Sequence, residues 1–256
     1  MQDRYAGDVG DFLTLGLLRV LLDHSDLRLG VVWYRVPDET HNDDGKHVSY
    51  LDPGNAIGSR LRTLDSDLHD RLGRVVRDDR RAVAALERSG ALPSGTVAFD
   101  EYVDMRGATA AERIDRRRSW VDRAIAATED CDVVFADPDN GVRPSDHPVP
   151  RHRAKADKYA YLDELAAYPA HGQTLIVYQH ADRTASVEVQ AARRLAEAAR
   201  ELGVEPLAAV RASRGSCRLF LLLPHPTHRG HFSARLAMIE RSRWGTELAV
   251  YRPRPG

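Results

Sequence analysis

The stretch Cys131-Asp132-Val133-Val134-Phe135-Ala136-Asp137-Pro138-Asp139-Asn140-Gly141 decides how this chain is read. A short apolar run ends in a cluster of polar, turn-forming residues. A buried parallel strand has this form when it delivers side chains to a crevice. Pro138 cannot continue a central ladder, so the chain leaves the sheet after Asp137. In open α/β sheets, ligands bind outside the carboxyl ends of the strands. Asp137, Pro138, Asp139 and Asn140 are therefore candidate site residues. The competing reading is an ordinary strand-to-loop turn, since Asp, Pro, Asn and Gly are common turn formers.

Working outward, further apolar runs read as strands at 29–36, 96–99, 174–178, 206–211, 217–223 and 248–251. Between them lie helical patterns at 12–22, 50–92, 109–128, 158–168, 185–201 and 231–240, while the proline-rich segment 142–157 reads as a long loop. Strands alternating with helices imply a mostly parallel sheet covered on both faces. The closing strands at 206–211 and 217–223, joined by a short turn, are expected to be antiparallel. The expected layout is one α/β domain over 1–256, with a mainly helical insertion at about 50–128.

Three other segments fall where such a sheet places its site. Gly7-Asp8-Val9-Gly10-Asp11 precedes the first helix and reads either as a capping loop or as a loop that lets a ligand approach the backbone. After the strand at 29–36 comes Pro37-Asp38-Glu39-Thr40-His41-Asn42-Asp43-Asp44, dense in carboxylates and an imidazole. Such donors suit a divalent cation, or simply a solvated loop. The strand at 174–178 runs on into Gln179-His180. His180 is a candidate general base, or a histidine bonded to nearby backbone.

Composition bounds the function. Hydrophobic residues are 43% and charged residues 29%, as in a soluble globular chain. Lys plus Arg is 37 against Asp plus Glu 38, so the overall charge does not argue for nucleic acid, although Arg113, Arg116, Arg117 and Arg118 could form a local phosphate-binding or salt-bridged face. Cys131 and Cys217 both stand beside apolar runs, where free buried thiols in a reducing cytoplasm are expected. The N-terminus lacks the basic start and apolar core of a signal peptide, and no run approaches a membrane span. Neither a Walker-type loop nor a Gly-x-Ser-x-Gly elbow occurs.

Several segments together resemble the bacterial large-subunit ribosomal RNA adenine-N6 methyltransferases. Ala6-Gly7-Asp8-Val9-Gly10-Asp11-Phe12-Leu13 is similar to that family's Ala-Gly-Asn-x-Ala-Asp-x-Leu segment, and Asp52-Pro53-Gly54-Asn55 loosely resembles its Pro-Gly-Ser-Pro loop. Asp137-Pro138-Asp139-Asn140 falls where the family carries Asp-Pro-Pro-Tyr, and Tyr178-Gln179-His180 where it carries a Trp-Tyr-Pro strand end. The resemblance implies a Rossmann-like methyltransferase fold using S-adenosylmethionine on an amine of a nucleic acid or small molecule. Asp137 and the Pro138 carbonyl would grip that amine. Gly7, Asp8, Asp11, Asp38 and His41 would lie toward the cofactor, and no metal is needed. Asn140 replaces the family's aromatic residue, Asp139 replaces a proline, and no second strand ending in a ribose-binding acid is evident.

Two other functions stay open at this stage. One is a metal-dependent hydrolase or phosphodiesterase holding a divalent ion on Asp38, His41, Asp43, Asp137 and Asp139, with Asp8, Asp11, Asp44 and His180 close by. The other is a catalytically silent nucleotide-binding module.

Overall fold

The computed structural model describes residues 1–39, 45–78, 81–103, 109–143 and 150–253. In chain order, α1 (Val9–Leu22) leads into β1 (Leu29–Val32). Three short helices follow, α2 (Ala56–Arg62), α3 (Ser66–Arg77) and α4 (Val83–Arg88). Next come β2 (Val97–Phe99), α5 (Ala110–Ala127), β3 (Val133–Ala136), α6 (Leu162–Leu165), α7 (Ala167–Ala170) and β4 (Thr174–His180). The last third holds α8 (Val187–Leu202), β5 (Ala208–Ala212), β6 (Arg218–Leu223), α9 (Arg229–Arg241) and β7 (Leu248–Tyr251).

The seven strands form one sheet in the order β2-β1-β3-β4-β6-β5-β7. Pairings β1–β2, β1–β3 and β3–β4 are parallel, whereas β4–β6, β5–β6 and β5–β7 are antiparallel. β5 thus runs with β1–β4, and both β6 and β7 are reversed. The Rossmann-like α/β architecture expected from the sequence is present, and the closing pair is antiparallel as read. Two strands, not only the terminal one, run against the rest. Chain order changes direction at β1, which has β2 on one side and β3 on the other. The crevice at such a switch point is where open sheets bind ligands.

Side-chain alternation splits the core into two layers. Val133 and Phe135 join Val31, Ile176, Val210 and Phe220 beneath α1 and α9, while Val134 and Ala136 join Val32, Leu175, Val177 and Leu221 beneath α5 and α8. This period of two is what a strand covered on both faces imposes. α1 is buried almost all round, with Phe12, Leu13 and Leu17 fully enclosed. Each such side chain contributes about 1.5–3 kcal/mol relative to exposure. Gly16 lies inside this helix because Trp244 packs against it: a Cβ there would come 2.3 Å from the indole Cη2.

β1 is shorter than the apolar run 29–36 implies. Tyr34 adopts φ of 37°, a left-handed conformation that takes the chain out of the ladder. Of the stretch read as a helical insertion, α2–α4 form the helical part, whereas β2 belongs to the sheet and α5 covers its face. β2 pairs with β1 and ends just before Asp100, so a second strand ending beside an acid does exist. The expected helix at 158–168 is broken into a 3-10 turn at Ala154–Lys158 and the short α6 and α7. α5 opens with a reciprocal cap between Thr109 and Glu112. No helix among the described residues is long and apolar enough to cross a membrane.

The arginine run of α5 is divided by the fold. Arg116 and Arg118 face outward, while Arg113 donates to the His152 carbonyl at 2.8 Å. Arg117 is 1% exposed and forms two 2.8 Å bonds to Glu164, with further bonds to the Ala156 and Tyr159 carbonyls. Removing one partner of a buried ion pair leaves the other charge uncompensated. Arg117→Met is expected to destabilise the fold by about 3–5 kcal/mol. Arg117→Met with Glu164→Leu is expected to recover part of that loss, as read by urea denaturation of the two variants.

Candidate functional site

A cavity of about 270 Å³ opens at the carboxyl ends of β3 and β4. Three other pieces of chain complete it: the N-terminus of α1, the segment around His47, and the turn before β6. It brings together Asp8, Asp11, Asp137, Pro138, Asp139, Asn140 and His180, all singled out in the sequence. Asp38 does not line it; its carboxylate accepts the Arg4 backbone N–H at 3.2 Å on the exposed side of that loop. His41, Asp43 and Asp44 lie outside the described residues. Among the described residues, no three His, Cys, Asp or Glu side chains form a group that could hold a metal ion.

Asp137 is the first residue beyond β3, and its N–H donates to Val32 O at 2.9 Å, prolonging the ladder by one bond. The chain then turns, with Gly141 N–H donating to the Pro138 carbonyl at 3.2 Å. Asp139 is held from two sides, by Gln2 Nε2 at 3.0 Å and Lys158 Nζ at 3.2 Å. Lys158 also bridges to Glu39 at 2.5 Å, and its carbonyl accepts Asn140 N–H at 2.8 Å. Asp139 thus ties the N-terminal segment, the loop after β1 and the Ala154–Lys158 turn around the cavity. His180 closes β4, exposed, with Nδ1 3.4 Å from the Tyr178 hydroxyl.

The loop before α1 shows the capping role its sequence allowed. Asp8 caps the helix by accepting Asp11 N–H at 3.0 Å, and Asp11 reaches back to accept Gly7 N–H at 2.8 Å. Both carboxylates also line the cavity. Gly7 serves the cap through its N–H and is not one of the lining residues.

Sequence reasoning missed Arg218, the guanidinium of this site. It opens β6, directly opposite His180 in the antiparallel register. Its guanidinium lies 3.8 Å from Asp8 and donates to the Arg214 and Ser216 carbonyls at 2.9 and 3.3 Å. Gly10 makes room for it, since a Cβ at that position would stand 2.1 Å from Nη2. Arg214 is in turn bound to Glu247, whose side chain is 2% exposed and also accepts from Arg60 at 2.7 Å. One signal was available: in the expected antiparallel pair, one strand must begin at the edge where the parallel strands end.

Charge crowding perturbs the carboxylates. Asp137 faces the cavity but is otherwise enclosed by protein. Burial raises its pKa to about 6, with Asp139 and Asp8 adding to the shift and the N-terminal ammonium and Arg218 opposing it. Asp11 is pushed well above the usual carboxylate range by burial and then by Asp8, against the Gly7 hydrogen bond. Burial disfavours charge on Arg218, but Tyr178, Asp8, Asp11 and Asp137 together hold it above its ordinary value. Burial also pushes the Tyr178 hydroxyl up, so it remains a donor at neutral pH. Cys131 and Cys217 are free thiols whose pKa values burial raises, and neither lines the cavity.

No protein-family model matches the chain, and no curated protein matches it at a significant level.

Asp137 makes stability depend on pH. Its folded pKa lies above the unfolded value of 3.8, so between pH 3.8 and about 6 the folded state binds the extra proton. Stability from this group therefore falls as pH rises through that window and stays reduced above it. The size is up to about 3 kcal/mol. Asp137→Asn is expected to raise the unfolding free energy at pH 8 and leave it nearly unchanged at pH 4. Equal effects at both pH values in paired denaturation curves would contradict this account.

Proposed function

We propose that the chain is an S-adenosylmethionine-dependent methyltransferase acting on an amine of a nucleic acid or a small molecule. The observation that carries this reading is the donor set of the cavity. Asp8, Asp11, Asp137 and the guanidinium of Arg218 line one cavity at the carboxyl ends of β3 and β4 of a Rossmann-like sheet, with Arg218 3.8 Å from Asp8. That set fits a ligand with net positive charge and one carboxylate. A sulfonium amino acid is such a ligand, and when bound it supplies an already activated methyl group.

Each residue has a role in this reading. Arg218 would take the amino-acid carboxylate in a charge-assisted pair. Asp8 and Asp11 would face the ammonium or the ribose hydroxyls, while keeping their caps on α1. Asp137 would accept a hydrogen bond from the acceptor N–H, orienting the nitrogen and stabilising the positive charge that develops on it. The Pro138 carbonyl, with one lone pair used by Gly141, keeps a second for the same amine. Asn140 offers an amide where a stacking ring stands in the family the sequence resembles, so recognition would proceed through hydrogen bonds. Catalysis would then rest mainly on positioning and on electrostatics.

Calorimetric titration with S-adenosylmethionine tests this. Wild type is expected to bind, and Arg218→Met to weaken binding by about tenfold or more, the worth of one charge-assisted hydrogen bond. Near pH 6, binding is expected to release protons, since a cation favours the ionised form of Asp137. Absence of binding at millimolar ligand would remove the proposal.

A further inference from the structure

The aspartates that line the cavity are not equally engaged. Asp8 accepts Asp11 N–H at 3.0 Å and stands 3.8 Å from the Arg218 guanidinium. Asp11 accepts Gly7 N–H at 2.8 Å, and Asp139 is held by Gln2 and Lys158 at 3.0 and 3.2 Å. Asp137 commits its backbone, through its N–H to Val32 and its carbonyl to the N-terminal ammonium at 3.5 Å. Among the described residues no group donates a hydrogen bond to its carboxylate, and burial alone heads the causes of its raised pKa. An ionised carboxylate has about four acceptor sites, and leaving them unmet in a partly enclosed space is costly.

The surroundings of this carboxylate favour a cation. Asp139 on its own loop and Asp8 on α1 add negative charge, against the N-terminal ammonium and Arg218 on β6. Tyr178 on β4 follows the register partners Ala136 and Val177 and is kept neutral by burial. The cavity as a whole is lined by four aspartates against one arginine and the N-terminal residue. Lys158 does not change that balance at Asp137, since it is shared between Asp139 and Glu39.

We propose that the Asp137 carboxylate receives a protonated aliphatic amine, so that the methyl acceptor is a small cationic amine and not a nucleic-acid base. The acceptor role rests on the methyl-transfer reading; the cation preference rests on the carboxylate and its neighbours. An ammonium brings three donors and a full charge. The exocyclic amine of a base brings two N–H groups and no charge. A guanidinium matches the charge but keeps its proton in proteins, so it presents no nitrogen lone pair for transfer. The ammonium gives one proton to the Asp137 carboxylate, which passes it to water. Burial narrows the gap between the two groups by raising the pKa of Asp137. The nitrogen lone pair then forms the new N–C bond, while the C–S electron pair stays on sulfur as a neutral thioether. The product leaves as a methylated ammonium with its two remaining protons.

Three probes of similar size, cyclohexylammonium, cyclohexanol and aniline, test this by nuclear magnetic resonance titration of the full chain, read at the Tyr178 ring. Cyclohexylammonium is expected to bind at pH 7.5, with the two uncharged probes at least about tenfold weaker. At pH 5 a carboxylate of pKa about 6 is only about one-tenth ionised, so cyclohexylammonium is expected to bind about tenfold more weakly there. That pH dependence is expected to persist in His180→Gln and to vanish in Asp137→Asn, which also lowers the affinity at pH 7.5 about tenfold. Aniline binding as tightly as cyclohexylammonium, or cyclohexylammonium binding unchanged in Asp137→Asn, would overturn the inference. The two readings also fail separately. No cyclohexylammonium binding with intact S-adenosylmethionine binding removes the cationic acceptor and leaves methyl transfer standing. The opposite pattern keeps the cation site and removes its acceptor role.

Discussion

The guanidinium of Arg218 among Asp8, Asp11 and Asp137 is the interaction on which the site depends. Like charges that share a partly enclosed space raise one another's energy, and a buried cation offsets that repulsion. Arg218 can occupy this position because β6 runs against its neighbours. A reversed strand begins where the parallel strands end, so its first residue meets their last. Gly10 leaves the space, and the carbonyls of Arg214 and Ser216 orient the fork. Arg214 is anchored by Glu247, which also holds Arg60 on α2. A line of contacts thus runs from α2 through Glu247 and the turn before β6 to the cap of α1.

This arrangement gives up stability. A carboxylate held near pKa 6 is ionised at neutral pH at a cost to the folded state, and Asp11 is shifted in the same direction. The rest of the molecule offsets that cost with a doubly covered sheet, an almost wholly buried α1 and the enclosed Arg117–Glu164 pair. Perturbed carboxylates that converge on a cavity are a recurrent feature of ligand sites. The same shifts also occur in structural ion networks. The backbone of Asp137 completes the ladder to Val32, and the residue lines the cavity.

The layers and most elements were legible in the sequence, because burial imposes periods of two and 3.6 that composition cannot hide. The strand before Asp137 and its exit at Pro138 followed from proline's missing donor. Asp8, Asp11, Asp139, Asn140 and His180 were found because turn-forming polar residues after strands and before helices mark the site edge of an α/β sheet. Arg218 was not, because a strand's first residue points to a site only once its direction is known. Asp38 looked like its neighbours in sequence, yet Tyr34 bends the chain after β1 and Asp38 ends against the Arg4 backbone instead. The short β2 hid Asp100, which the fold places 3.9 Å from Arg35 and outside the cavity.

Asp139 and Asn140 are the two positions of 137–140 that differ from the Asp-Pro-Pro-Tyr motif on which the proposed resemblance rests, and they do not carry equal weight. Asp139 has a structural account: Lys158 and Gln2 hold it, and through them it fastens the N-terminal segment and the Ala154–Lys158 turn around the cavity. A proline could not do this, and the charge of Asp139 still adds to the upward shift of Asp137. Asn140 has only its backbone committed, to the Lys158 carbonyl. In the proposed methyl-transfer reading, the departure that would bear on substrate is thus the loss of an aromatic face and the gain of an amide. In that reading a ligand held here would forgo stacking worth about 1–3 kcal/mol and take its orientation from directional hydrogen bonds.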